Sequence, residues 1–225
     1  MPSLTATDIA PATPADVPLI SWVLARAFHE DPVMAWCVPD PMERRARLPL
    51  LFAAYAEVFV DHGHTYRTGE TAGAALWAPP GTDPIPDNQH CFEKRMGLIL
   101  GDDADRAGEL DALLEEHHPE EACYFLQLVG VAPEHQGRGL GGRLLTPVLE
   151  QCDATATPAY LEATSPDNRR LYERHGFQTL SQITVPRGPT LWPMWRDPTP
   201  AHPQRRKRTG NRPTPPLSAR SPSGA

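Results

Sequence analysis

Four glycines fall within six positions, Gly137, Gly139, Gly141 and Gly142, with Gln136, Arg138 and Leu140 before and between them. Bare backbone at that density loses much entropy on ordering, so the folded chain must gain from whatever approaches it. The apolar run "CYFLQLVGV" precedes the loop and the amphipathic run "GRLLTPVLEQC" follows it. A buried strand, a glycine loop and a helix in direct succession place unpaired N–H groups and the positive end of a helix dipole together. That is a site for an anion, above all a diphosphate. Glycine lets such a ligand touch main chain, and Gln136 and Arg138 add donors. The third glycine falls too early for a dinucleotide fingerprint, and the Gly-Lys-Ser/Thr of a triphosphate loop is missing. Taken alone, the loop is equally a structural turn between strand and helix.

A second cluster, "PAYLEATSPDNRRLYERHGF", starts at Pro158. Its first part reads as a strand carrying Glu162. The rest reads as a helix with Ser165 as N-cap, Pro166 at the first position and Gly176 as its stop. Asn168 and Tyr172 are four residues apart and share one face of that helix.

Together these blocks resemble the GNAT superfamily, the acyl-CoA-dependent N-acyltransferases. The pyrophosphate pattern Gln/Arg-x-x-Gly-x-Gly/Ala is matched by Gln136, Gly139 and Gly141, and the second motif by Asn168, Tyr172, Gly176 and Phe177. The likeness is closest to the puromycin N-acetyltransferase-like members. It is strong from Glu120 to Trp195, including "VPRGPTLWPMW", weaker over residues 8 to 119, and absent beyond. It implies an α+β fold: a mixed, mostly antiparallel sheet flanked by helices, with a splayed parallel strand pair forming the acyl-CoA cleft.

It further implies acetyl transfer from acetyl-CoA to a primary amine of a small molecule, by direct attack in a ternary complex. Backbone N–H groups at Val129, Gly130 and Val131 would hold pantetheine and polarise the carbonyl. Gln136, Gly137, Arg138, Gly139, Leu140 and Gly141 would cradle the pyrophosphate. Asn168 would hold the CoA arm and Tyr172 would protonate the departing thiolate. Glu162 is the first choice for the base, Glu121 the alternative, and an already neutral amine would need neither. The loop "HEDPVMAW" and Trp77 fall where the family walls its acceptor, so Glu30, Trp36 and Trp77 are expected to line that side, the acid to attract an amine and the indoles to stack on a ring. Two other classes stay open: a non-catalytic CoA-binding sensor or regulatory module, and a protein N-acetyltransferase.

The elements that must position these residues are legible around them. Thr13, Pro14 and Asp16 start a helix whose apolar face is Val17, Ile20, Leu24 and Ala27/Phe28, and a second helix restarts after Asp40 and Pro41. Three prolines make the intervening segment an irregular loop. "HTYRTG" and "TAGAALWAP" form a hairpin, residues 88 to 118 hold one or two helices, and "FQTLSQITV" with "TLWPMWRD" close the sheet. Pro193 in the last strand implies an edge or a bulge.

At 225 residues, the chain suits one domain, residues 1–197, followed by a disordered tail, 198–225, with seven prolines and six basic residues. The net charge is −7, and the tail has no acid, so the body carries −13. An acidic body does not suit general nucleic-acid binding. No apolar run of membrane length and no leader pattern is present, which leads to the expectation of a cytoplasmic protein that binds no membrane. Four scattered cysteines are read as free thiols, and His62-x-His64 and His117-His118 lack partners at ligand spacing, so no metal is expected. The expected assembly is a monomer or homodimer.

Overall fold

The computed structural model describes residues 8–83, 85 and 89–199. The expected tail lies, except for its first two residues, outside the described residues. Eight strands form one sheet in the order β1-β2-β3-β4-β5-β8-β6, with β7 alongside β8. The strands are β1 Ile9–Pro11, β2 Thr65–Thr68, β3 Gly73–Ala78, β4 Tyr124–Val131, β5 Ala159–Ala163, β6 Gln178–Thr179, β7 Ile183–Thr184 and β8 Thr190–Arg196. Every strand pair is antiparallel except β4 with β5, so the expected mixed sheet is what forms.

Helices α1 Val17–Ala27, α2 Pro32–Cys37 and α3 Pro41–Val60 precede the hairpin; α4 Gln89–Leu100 and α5 Ala104–Glu115 follow it. Their apolar faces form a core with Leu76 and Leu128 on one side of the sheet. On the other side α6 Leu140–Thr155 and α7 Pro166–Arg174 cover Trp77, Tyr124, Leu126 and Leu161. Leu144, Leu145, Val148 and Cys152 of α6 are wholly buried there. Each such leucine adds about 1.5–3 kcal/mol to the packing of this layer.

The segment expected to be an irregular loop contains α2. Asp31 caps it, accepting from the N–H groups of Val33 (2.9 Å) and Met34 (3.2 Å), and Pro32 takes the first position, where its missing donor is harmless. The same device starts α3 at Asp40 and Pro41. The segment "FQTLSQITV" is two short strands, β6 and β7. Pro193 accepts from Leu180 N–H at 2.9 Å, so the side of Pro193 lacking a donor faces the break between them.

The sheet opens at one point. Parallel pairing runs through Tyr124–Ala159, Phe125–Tyr160 and Leu126–Leu161 and stops, while β4 stays paired to β3 as far as Val131. The register of β3 against β4 slips at the same place: Trp77 pairs with Leu126 and Leu76 with Leu128, leaving Gln127 as an extra residue. Such a bulge bends its strand. Bending here turns β4 away from β5 and makes a fork.

Candidate active site

At the fork the edge of β4 from Gln127 to Val131 has no strand partner on the β5 side, which leaves main-chain groups for a ligand. Gly130 is pressed on its helix side: a Cβ there would lie 2.9 Å from Ala27 Cβ and 2.9 Å from Leu24 Cδ2. Beyond β4 the loop turns into α6 through Gly137 (φ 73°) and Gly139 (φ 77°), both left-handed. A side chain at either would cost about 1–2 kcal/mol in backbone strain. A Cβ at either would meet nothing within 4 Å, so backbone conformation requires these glycines and the outer side of the loop stays open.

Val129, Gly130, Val131, Gln136, Gly137, Gly139, Leu140, Gly141, Asn168 and Tyr172 line one cleft of about 510 Å³. Gln136 also donates its amide to Val131 O at 2.9 Å, fastening the loop to the end of β4. Arg138 stands exposed outside the lining. Asn168 and Tyr172 come from α7, whose N-cap Ser165 accepts from Asn168 N–H at 3.2 Å, and Gly176 (φ 89°) follows its end.

Tyr172 is 6% exposed, and its hydroxyl has no hydrogen bond among the described residues. Burial, and then the nearby Asp31 carboxylate, raise its pKa, so the hydroxyl keeps its proton. Asn168 donates to Thr164 Oγ1 (3.3 Å), which in turn donates to Asp31 Oδ2 (2.5 Å). This chain links α7 on the cleft side to the cap of α2 on the other. Burial raises the Asp31 pKa, and its hydrogen bonds to Thr164, Met34 and Val33 oppose the rise.

Glu162 is half-buried and outside the cleft lining. Its neighbours on β5, Leu161 and Ala163, pack with Tyr172, so alternation sends Glu162 to the opposite face of the sheet. Burial holds its carboxyl up at about 7, against a smaller opposing effect of the hydrogen bond with Tyr160. A carboxyl at that value accepts a proton and gives it up near neutrality.

The fold sets the other expected positions outside this cleft lining. Glu121 is exposed and precedes β4 at the end opposite the fork, five residues before Leu126, about 17 Å of extended chain away. Trp77 is 0% exposed under α6, so it is a core residue and touches no acceptor. Glu30 points into solvent, its side chain 84% exposed beside His29 Nε2 at 3.4 Å. Trp36 is half-buried on α2 and lines a separate surface concavity with Arg106 and Arg187. Phe28 and Asp31 line the cleft; Asp31 belongs to the loop expected to wall the acceptor and to attract an amine, whereas Phe28 was not among the expected site residues. The tight fit of Gly130 against α1 explains Phe28; the Asp-Pro cap explains Asp31.

Among the described residues no group of His, Cys, Asp and Glu could hold a metal ion, and no helix is long and apolar enough to cross a membrane. The four cysteines are free thiols.

Residues 94–179 match the acetyltransferase (GNAT) domain family. A solved Corynebacterium glutamicum structure, described as histone acetyltransferase HPA2 and related acetyltransferase, is 31% identical. It covers 89% of this chain and 99% of its own, with a TM-score of 0.65. An uncharacterised N-acetyltransferase of Schizosaccharomyces pombe is 25% identical over 184 residues, 73% of this chain and 71% of that protein. Arylalkylamine N-acetyltransferase 2 from Aedes aegypti, 16% identical over 84% of this chain and 98% of its own, shares the fold at a TM-score of 0.56. A forked parallel pair, an open glycine loop feeding a helix, and a relative of this identity over nearly its whole length place the chain in the GNAT acetyltransferase family, as an N-acetyltransferase.

Proposed function

We propose that the protein moves the acetyl group of acetyl-CoA onto the primary amine of a small molecule, with both substrates bound at once. One observation carries the reading: the fork separates Tyr172, on the face of the diphosphate-type cleft, from Glu162, on the opposite face. Donor and acceptor then approach the gap from opposite sides. The incoming ammonium gives a proton to Glu162, its nitrogen bonds to the thioester carbon, and the C–S bond breaks. The departing thiolate takes the proton of the Tyr172 hydroxyl, the second proton of the acylated nitrogen passes to the tyrosinate, and Glu162 returns its proton to solvent, leaving a neutral amide and the CoA thiol. Main-chain N–H groups of Val129 to Val131 stabilise the carbonyl oxygen as charge builds on it. Glu162 and Tyr172 are the residues we assign to catalysis. The cleft residues, Val129 to Val131, Gln136 to Gly141 and Asn168, are assigned to the donor.

Resemblance favours a puromycin-like aminonucleoside as the acceptor, and fold alone does not choose among amines. The structural neighbours include enzymes described as agmatine, polyamine and arylalkylamine N-acetyltransferases. A panel of puromycin, agmatine, spermidine, arylalkylamines and a lysine-containing peptide, offered with acetyl-CoA, tests the reading through release of free CoA and the mass of the products. A small amine should gain one acetyl group, and Tyr172→Phe should lower kcat about 100-fold with little change in CoA affinity. Tight CoA binding without acetyl loss across the panel would point instead to a binding module, and acetylation of the peptide alone to a protein acetyltransferase.

A further inference from the structure

Gln127 is the extra residue of the β4 bulge and has no pairing partner on β3. On its other side the parallel register ends at Leu126–Leu161, so Gln127 and Glu162 are the next residues on the two strands and lie across the mouth of the fork from each other. Residues in register on neighbouring strands share a face. Phe125 and Tyr160, two positions back, identify it: their rings are 5.9 Å apart with His118 against both. Leu128, the other bulge residue, also packs on this side. Gln127 is half-buried, and its carboxamide has no hydrogen bond among the described residues. It is also not among the buried unpartnered polar atoms, so solvent or a ligand reaches it. Bulges beside active sites commonly re-aim a side chain. This one presents a neutral hydrogen-bond acceptor on the same face as the carboxyl assigned as base.

We propose that Gln127 selects primary over secondary amines, its carboxamide oxygen accepting one N–H of the acceptor while Glu162 takes the proton that leaves. This rests on the assignment of Glu162 above. A primary ammonium brings three N–H groups; after one proton passes to Glu162, two remain and the lone pair is free. Holding one of the two on Gln127 turns the lone pair toward the fork. An N-methyl amine has one N–H fewer, and one of its poses sets a methyl group against the carboxamide oxygen. Sites that hydrogen-bond a substrate N–H discriminate strongly against analogues lacking it.

The test uses the full chain and a probe pair: the best amine of the panel and its N-methyl derivative, or phenethylamine and N-methylphenethylamine where the panel gives no turnover. Wild type should favour the primary amine in kcat/KM by about 10-fold or more. Gln127→Leu should bring the two within about threefold, with the KM for acetyl-CoA and the melting temperature unchanged. Gln127→Glu, a second carboxylate across the fork from the first, should move the acidic limb of the pH profile upward, which a merely structural residue would not do. An unchanged ratio in Gln127→Leu overturns the inference. An NMR titration of the CoA-saturated protein should show the Gln127 side-chain amide shifting more with the primary amine than with its N-methyl partner. This separates the two failures: no turnover with any amine sinks the acetyl-transfer reading alone, whereas an amide that ignores both amines sinks the role of Gln127 even while acetylation proceeds.

Discussion

Glu162→Gln should make the protein more stable and the enzyme slower, with both effects set by pH. Burial holds this carboxyl at about 7 against an ordinary 4.5. At about 1.4 kcal/mol per pK unit, keeping the charge inside the fold costs about 3 kcal/mol. Because the folded pKa lies above the unfolded one, the native state binds more protons between those two values. Stability therefore falls as pH rises through that window, and the loss is complete above about pH 7. Glutamine keeps a partner for Tyr160 and carries no charge. Variant and parent should melt together near the lower value, whereas at about pH 8 the variant should be more stable by up to about 3 kcal/mol, a rise of roughly 6–10 °C. Activity should go the other way. About a tenth of the parent carboxyl is ionised at about pH 6 and nine-tenths at about pH 8, so kcat/KM should climb along an acidic limb centred near 7. In the variant that limb should vanish and the plateau fall about 100-fold. Thermal melts and a CoA-release assay across the pH range check both halves. A variant less stable than its parent at about pH 8 would refute the burial argument. Survival of the limb at its original pH would refute the assignment of the base.

Two further substitutions probe how the cleft walls are held together. A methyl group at Gly142 would lie 2.6 Å from His175 Nε2, at the end of α7. Gly142→Ala should therefore raise the KM for acetyl-CoA several-fold as α7 is pushed from α6, and adding His175→Ala should restore it; additive effects in the double variant would break the steric explanation. Thr164→Val removes both the donor to Asp31 and the acceptor for Asn168. With one buried carboxylate bond lost, the protein should unfold about 2 kcal/mol more easily and melt roughly 4–8 °C lower, and an unchanged melting temperature would show the link to be idle.

Local signals carried most of the donor side. Strand, glycine loop and helix follow one another without interruption, and the caps at Asp40 and Ser165 act through residues two or three positions away. The cleft residues of β4, the loop and α7 were therefore legible before any tertiary contact was known. The same Asp-Pro signal was present at Asp31 and Pro32, but the density of prolines around it masked α2. Strand β1 pairs only three residues and has no periodicity to read. Trp77 sits in a strand buried at every position, so which face its indole takes depends on α6, far along the chain. Glu121 and Glu162 look alike as strand-end acids; only the place where pairing stops decides which one reaches the fork.

The acceptor side was hidden for a more general reason. Backbone recognition of a diphosphate needs glycines at set spacings, so donor binding leaves a mark in the order of residues. The acceptor recognition proposed for Gln127 depends on pairing: a bulge at Gln127 appears only when β3 and β4 are laid together, and its place across the fork from Glu162 only when β5 is added. The two are physically one feature, because the bulge that bends β4 away from β5 at the fork is also what leaves Gln127 without a partner on β3. Removing the extra residue would pair β4 without interruption, narrow the fork and withdraw the carboxamide in one step. In the proposed reading, donor access and acceptor choice therefore depend on the same irregularity, and a change at that position should alter both.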